Sequence, residues 1–200
     1  NTGGFYGDLT TAGTGAVIYL KSNDANALVQ RNIITGHLGY KEGGAFYIDN
    51  LAAGKATISD NNVLSNNHIT NVNAKGAAIY QTATGLLVVD ENTITFNSIP
   101  NNDTALGSAI YSASVTSGNF IVTNNIIAGN TGKWAVYGAP STITNNNLYD
   151  NTANGEVENW TAGNDYNPGM NLRSTATSYS PSAINNFWGS RSDMGQIDPS

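Results

Sequence analysis

A short motif, in which a small residue and a bulky apolar residue precede a tyrosine, recurs along the chain and limits how it can fold. The motif tyrosines are Tyr19, Tyr47, Tyr80, Tyr111 and Tyr137, separated by steps of 28, 33, 31 and 26 residues. A second motif, an Asn shortly before an apolar residue, recurs at similar intervals along the same stretch. Self-similarity at a period of about thirty residues is typical of stacked units, each of which cannot bury its apolar face alone.

Each unit contains three short segments that are typical of β-strands. The residue before each motif tyrosine is apolar, and since successive strand side chains point to opposite faces, it is predicted to lie inside and the tyrosine outside. These predicted inside residues are Ile18, Phe46, Ile79, Ile110 and Val136. The second strand is predicted around Leu28, Ile58, Val88, Ile121 and Ile143. The third strand is predicted around Ile34, Leu64, Ile94, Ile127 and Leu148.

A polar residue follows each third strand after three positions and indicates a recurrent turn. These residues are His37, Asn67, Asn97, Asn130 and Asn151. Asn tolerates a positive φ better than other non-glycine residues, so the asparagines are predicted to form the bends themselves. In stacked coils their side-chain amides can bond from one coil to the next. The turns are therefore predicted to contain an asparagine ladder.

These patterns predict an all-β protein, a right-handed parallel β-helix (solenoid) of about six coils. Neighbouring coils should lie about 4.8 Å apart. The right-handed sense is predicted because crossover connections between parallel strands are strongly right-handed. We expect one domain over 1–200, with regular coils over 15–151, an irregular excursion over 155–181 and a terminal coil over 182–200. The segment is expected to be a piece of a larger protein, attached to other domains.

Composition excludes several classes of function. The formal net charge is −6 and the chain has only eight Lys and Arg residues, which disfavours nucleic acid as a partner. With no cysteine there is no disulfide and no thiolate metal site. No apolar run reaches the roughly 18 residues of a membrane span, so membrane insertion is not expected. Absence of Cys is compatible with a secreted or cell-surface bacterial protein, which is the expected location.

The repeat resembles that of chlamydial polymorphic outer-membrane proteins and of many secreted bacterial proteins with right-handed β-helix repeats. The resemblance rests on glycine-containing motifs ending in an apolar residue and on apolar-x-x-Asn motifs, over roughly 15–151. These are Gly43 to Phe46, Gly76 to Ile79, Gly107 to Ile110, Leu64 to Asn67, Ile94 to Asn97, Ile127 to Asn130 and Leu148 to Asn151. The wider pectate-lyase-like group includes lyases, hydrolases, adhesins and non-catalytic carbohydrate-binding modules, so the resemblance implies the coil and no single chemistry.

The tyrosine column is the first candidate site. The five motif tyrosines should form one outward file, and Trp134 beside its last member would widen it. Flat aromatic groups with polar tips suit the apolar faces and hydroxyl rims of sugars. The alternative is that the rings stack on one another and stabilise the sheet. Both interpretations remain open from the sequence.

A pair of carboxylates is the second candidate site. Asp60 and Asp90 each stand two residues before a motif Asn, and stacking would bring them about 5 Å apart. They could bind Ca²⁺, or serve as an acid/base pair with Glu91 and Arg31 in glycoside cleavage, or simply lie on a solvated turn. His37 and His68 have no recognisable nucleophile partner and are expected to be structural.

The function predicted first is a non-catalytic carbohydrate-binding module that recognises a plant polysaccharide such as xylan through the aromatic sheet face. No catalytic residue is assigned in this hypothesis, and no cofactor is required apart from the optional Ca²⁺. The alternative is a structural or adhesive segment of a bacterial cell-surface protein. A second alternative is a polysaccharide lyase or hydrolase that uses the residues of the carboxylate site.

Overall fold

Among the residues that the structure describes, the regular secondary structure is entirely β. The computed structural model describes residues 16–22, 26–50, 54–82, 85–102, 104–113, 119–151, 172–174 and 185–189. The strands are β1 (Ile18–Ser22), β2 (Asn26–Gln30), β3 (Ile33–Thr35), β4 (Leu38–Gly39), β5 (Phe46–Asn50), β6 (Lys55–Ser59), β7 (Val63–Ser65), β8 (His68–Ile69), β9 (Ile79–Gln81), β10 (Leu86–Asp90), β11 (Thr93–Thr95), β12 (Ile110–Ser112), β13 (Phe120–Thr123), β14 (Ile126–Ala128), β15 (Val136–Gly138), β16 (Thr142–Thr144), β17 (Asn147–Tyr149), β18 (Leu172–Ser174) and β19 (Phe187–Gly189).

Three parallel sheets run along the solenoid, one for each strand of the repeat. The first sheet has the order β1-β5-β9-β12-β15-β18, the second β16-β13-β10-β6-β2 and the third β19-β17-β14-β11-β7-β3. A small fourth sheet pairs β4 with β8. Because the strands of each sheet pair in parallel with equivalent strands of neighbouring repeats, the prediction of a parallel β-solenoid is confirmed.

The predicted number of about six coils is wrong. In the described residues, only three coils, within 43–133, have a paired strand on both sides in all three sheets; we call these the central coils. The first coil, within 16–42, ends each sheet with an edge strand, and the second sheet has no strand beyond β16 in the described residues. Most of the predicted excursion over 155–181 and most of the predicted terminal coil over 182–200 lie outside the described residues, so these boundaries stay predictions.

The inward residues of the first and third strands belong to the core, as predicted. Ile18 pairs with Phe46, Phe46 with Ile79, and the same file continues through Ile110 to Val136. In the third sheet the predicted file from Ile34 to Leu148 is likewise in register and buried. A continuous apolar core therefore runs parallel to the stacking direction.

The residues predicted to mark the second strand lie on it, but they point to different faces. Its buried residues include Ile58, Val89 and Val122, whereas Leu28 is 61% exposed and Val88 and Ile121 are only partly buried. The reason is local: Leu28-Val29, Val88-Val89 and Ile121-Val122 place two apolar residues side by side, so alternation alone does not identify the inner one.

Two asparagine ladders connect the coils through buried side chains, which confirms the predicted ladder. The first ladder consists of Asn32, Asn62, Asn92, Asn125, Asn146 and Asn186, and the second of Asn67, Asn97, Asn130 and Asn151. Each Nδ2 donates to the Oδ1 of the next Asn at 2.8 to 3.2 Å, and the same oxygen also accepts a backbone N–H. The ladder thus satisfies polar groups that the coil would otherwise bury without partners.

The bends themselves lie one residue earlier than predicted. Positive φ values occur at the residue before each ladder position, for example 54° at Glu91 and 57° at Asn124. The ladder Asn that follows has its amide buried among backbone carbonyls. The reason is that the residue at the bend points its side chain outward, whereas the next residue points inward, where the polar groups are.

Candidate functional site

The five motif tyrosines form a single column on the outer face of the first sheet. Register places them directly above one another, from Tyr19 on β1 to Tyr137 on β15. Successive ring centroids are 5.2, 5.0, 5.3 and 5.3 Å apart. Three of the four pairs are stacked, with interplanar angles of 17°, 24° and 5°, and the Tyr47–Tyr80 pair is tilted by 53°. The spacing follows from the distance between neighbouring strands.

Exposure differs sharply along the column. Tyr19 is 51% exposed, whereas Tyr80 is 7% exposed. Tyr47, Tyr111 and Tyr137 are half-buried. Since each inner ring lies between two neighbouring rings, with centroids 5.0 to 5.3 Å apart, the column presents mainly ring edges and hydroxyl groups to its surroundings. A sugar could stack on a full ring face only at an end of the column.

Two charged residues, Glu42 and Lys75, lie beside the inner part of the column, and the sequence analysis did not identify them. Lys75 Nζ lies 5.1 Å from the ring centroid of Tyr111, within cation–π range. Burial raises the pKa of Tyr80, and the nearby carboxylate of Glu42 raises it further. Glu42 and Lys75 are paired by a backbone bridge between adjacent coils, and the same row continues to Leu106. The stacking of these residues beside the motif glycines is the signal that could have identified them.

Trp134 does not widen the outer face of the column. Its side chain is 3% exposed, and its backbone has a φ of 63°. It occupies the bend at which the preceding coils have Gly43, Gly76 and Gly107, all with positive φ. Its carbonyl oxygen accepts bonds from the backbone N–H and the hydroxyl of Ser108 at 2.6 and 3.2 Å. The contacts of Trp134 are therefore those of a buried residue between coils.

The two carboxylates of the second candidate site face different coils. Asp60 Oδ2 accepts from Arg31 on the preceding coil, with Nη2 at 2.7 Å and Nε at 2.8 Å. Asp90 Oδ1 accepts instead from the following coil, from Thr123 Oγ1 at 2.6 Å and Asn124 Nδ2 at 2.8 Å.

An additional residue causes this divergence. Two residues with positive φ, Asp60 and Asn61, precede the ladder Asn of that turn, where the next turn has only Glu91. Among the described residues, no three His, Cys, Asp or Glu side chains gather where a metal ion could bind. Binding of Ca²⁺ by Asp60 and Asp90 stays a prediction, and each carboxylate already has protein partners.

The two histidines contact residues of neighbouring coils, and His68 lies in a row between Leu38 and Ser98. His37 stands at the start of the second ladder, where its backbone N–H donates to Asn67 Oδ1 at 3.2 Å. His68 Nδ1 is hydrogen-bonded to Ser98 Oγ on the next coil. The histidine positions are thus part of the coil-to-coil bonding pattern.

The comparisons with known proteins do not assign a family. No family model, no curated protein and no solved structure matches the chain. Within the described ranges, there is no helix with the length and apolarity that crossing a bilayer requires. The parallel solenoid is therefore established by the strand pairing alone, and membership in the pectate-lyase-like group stays a prediction.

Proposed function

We propose that this chain is a structural segment, a β-solenoid that acts as a rigid spacer within a secreted or cell-surface bacterial protein. One observation supports this proposal most directly: the residues with distinctive chemistry are engaged in contacts between coils. The two asparagine ladders, the tyrosine column and the Arg31–Asp60 pair all connect one coil to the next. Contacts of this kind between successive coils resist bending of the solenoid and local unfolding of single coils.

The finer features of the fold belong to the same proposal. We infer a right-handed solenoid related to the pectate-lyase-like group, attached to other domains of a longer chain. The right-handed sense is supported by the strong preference of crossover connections between parallel strands for that handedness. The kinship is supported by the glycine-containing and apolar-x-x-Asn motifs. A spacer needs neither cofactor nor acid/base pair, and the observed partners of Asp60 and Asp90 are compatible with that role.

Non-catalytic binding of a polysaccharide such as xylan is the second candidate function. It is favoured by the exposed end of the tyrosine column, where Tyr19 is 51% exposed and Lys21 on the same strand is also exposed. At this end one aromatic ring and polar groups face outward together, a combination that suits sugars. The half-buried Tyr47, Tyr111 and Tyr137 would extend the contact along the sheet.

Affinity electrophoresis separates the two candidates. The protein is run in native gels that contain soluble xylan, β-glucan or pectin, beside gels without polysaccharide. The spacer proposal expects unchanged mobility in every gel. Retardation by one polysaccharide that is lost in Tyr19→Ala and retained in Tyr149→Ala would replace the spacer with the binding module. Product release from these polysaccharides that is lost in Asp90→Asn would instead favour the lyase or hydrolase.

A further inference from the structure

The first coil is the least covered part of the described solenoid, and the chain has no disulfide to hold it. Its strands β1, β2 and β3 are edge strands of the three sheets. The sequence contains no cysteine, so a covalent link between coils would need a different chemistry. The tyrosine column offers one, because phenol rings can be joined by oxidation.

Tyr19 and Tyr47 have the arrangement that such a link requires. The two residues are directly paired in register on β1 and β5, and their rings stack at 5.2 Å with an interplanar angle of 17°. Tyr19 is 51% exposed, so an oxidant in solution can reach its ring. Its exposure also leaves room for the ring to turn from a stacked position to an edge-to-edge contact with Tyr47.

A proton acceptor is already in place at Tyr19. Its hydroxyl donates to Asp49 Oδ2 at 3.0 Å, across the gap between the first two coils. Removing an electron from a phenol makes the hydroxyl strongly acidic, so a carboxylate at hydrogen-bond distance assists the oxidation by taking the proton. Desolvation, followed by the hydrogen bond to Asp49 and the negative charge of that carboxylate, raises the pKa of Tyr19. A phenol is protonated near neutral pH, so electron loss must be coupled to proton loss.

We propose that Tyr19 and Tyr47 form an oxidative cross-link site, at which a one-electron oxidant such as a peroxidase intermediate joins the first coil to the next as a dityrosine. Two oxidant equivalents each remove one electron. The Tyr19 proton passes to Asp49 and the Tyr47 proton to solvent, which leaves two phenoxyl radicals. A carbon–carbon bond forms between their ortho carbons, and the two ortho hydrogens then move to the phenol oxygens by way of solvent. The net change is the loss of two electrons and two protons.

The remainder of the column favours this pair over the others. Tyr80 is 7% exposed and packed between two rings, which restricts both access and ring rotation. Tyr111 and Tyr137 are half-buried, and Lys75 lies over the Tyr111 ring. A nearby cation disfavours the positive charge that develops on a ring as it loses an electron. The exposed end beside a carboxylate is therefore the preferred oxidation site.

The test uses the full chain and a ruthenium(III) polypyridyl complex generated by light and persulfate as the one-electron oxidant. We expect a monomer whose intact mass falls by two hydrogens, with the blue fluorescence of dityrosine, and with Tyr19 and Tyr47 linked in peptide maps. Tyr19→Phe keeps the stacked ring but removes the phenol, so the monomeric cross-link should be lost. Asp49→Asn should slow its formation, whereas the matched variant Tyr149→Phe should leave its yield unchanged.

Circular dichroism spectra of each variant are recorded before oxidation, so that a loss of cross-link is not confused with a loss of fold. A monomeric cross-link that persists in folded Tyr19→Phe would overturn the proposal. So would peptide maps in which the linked residues are another pair, or in which the links are only between molecules. An unchanged rate in Asp49→Asn would remove the role of the carboxylate and reject that part of the proposal.

Discussion

The first coil and the central coils have the same repeat but differ greatly in burial. In the third sheet Leu64, Ile94 and Ile127 are fully buried, whereas their equivalent in the first coil, Ile34, is 7% exposed. Four large hydrophobic residues of the first coil are more than half exposed, namely Tyr19, Leu28, Ile33 and Leu38, against two in the three central coils together, Val72 and Phe96. A coil of this type therefore obtains its burial from neighbours on both sides, and its own sequence supplies only half of the contact.

The largest expected effect comes from breaking the first ladder in a central coil. Asn92 Oδ1 accepts from Asn62, and its Nδ2 donates to the carbonyl oxygens of Ile58 and Asp90. Asn92→Ala leaves several of these buried groups without partners, so we expect a loss of about 3–5 kcal/mol in the free energy of unfolding. Asn32→Ala, at the partly buried end of the ladder, should cost about 1 kcal/mol. Urea denaturation measures both, and equal losses would contradict the difference between coils.

Core truncation should show nearly as large a contrast. Ile94 faces the core and is fully buried, whereas Ile33 of the first coil lies in the outward row with Val63 and Thr93 and is 73% exposed. Ile94→Ala should lower the free energy of unfolding by about 2–5 kcal/mol because it opens a cavity. Ile33→Ala should change it by no more than about 0.5 kcal/mol. Thermal and urea unfolding of the two variants would refute the burial argument if their stabilities fell equally.

Alanine substitutions at two glycines with positive φ distinguish the cost of backbone strain from the cost of steric crowding. Gly36 in the first coil has a φ of 72° with no atom within 4 Å of an added Cβ, whereas at Gly43 (φ 64°) the added Cβ would lie 2.6 Å from the carbonyl oxygen of Phe46. Gly36→Ala should cost about 1–2 kcal/mol through the left-handed backbone alone. Gly43→Ala should cost about 1–3 kcal/mol more because the backbone must also shift. The difference between their urea midpoints measures the crowding.

The tyrosine column predicts a loss of stability in alkaline solution. Burial raises the pKa of Tyr47, Tyr80 and Tyr111, so the folded chain holds phenolic protons that the unfolded chain releases. This contribution to stability is fully present below about pH 10, the usual phenol value, and is lost as the pH rises above it. Tyr80→Phe should therefore move the midpoint of alkaline unfolding upward. Tyr149→Phe, outside the column, is the control, and an equal upward shift there would refute the assignment.

The smallest effect is expected at the surface pair between the first two coils. The Arg31 and Asp60 side chains are 78% and 24% exposed and their charged atoms lie 2.7 Å apart. Arg31→Ala should lower the free energy of unfolding by at most about 1 kcal/mol, because exposed ion pairs gain little over hydration. The loss should shrink further in high salt. A larger, salt-independent loss in chemical denaturation would show that the first coil depends on this contact.

Much of the fold was predictable because the repeat fixes which residues stack. The inward files of the first and third sheets, the outward tyrosine file and the presence of an asparagine ladder all follow from spacing and strand alternation. Apart from the number of coils, the differences between sequence expectation and structure arise from single-residue steps. Paired apolar residues such as Val88-Val89 conceal the inner face, and the additional residue at Asn61 lets Asp60 and Asp90 turn to different coils.

The sequence by itself determined that like residues lie above like, since a repeat near the length of one coil can bury its apolar side only by stacking in register. Only the tertiary structure decided how deep each residue lies: Tyr80 is covered while Tyr19 is open, and Trp134 is buried beneath a neighbouring coil. The physical reason is that alternation along a strand determines to which face of the sheet a side chain points. How deeply that side chain is buried depends on the coils above and below, whose residues are some thirty positions away in the sequence.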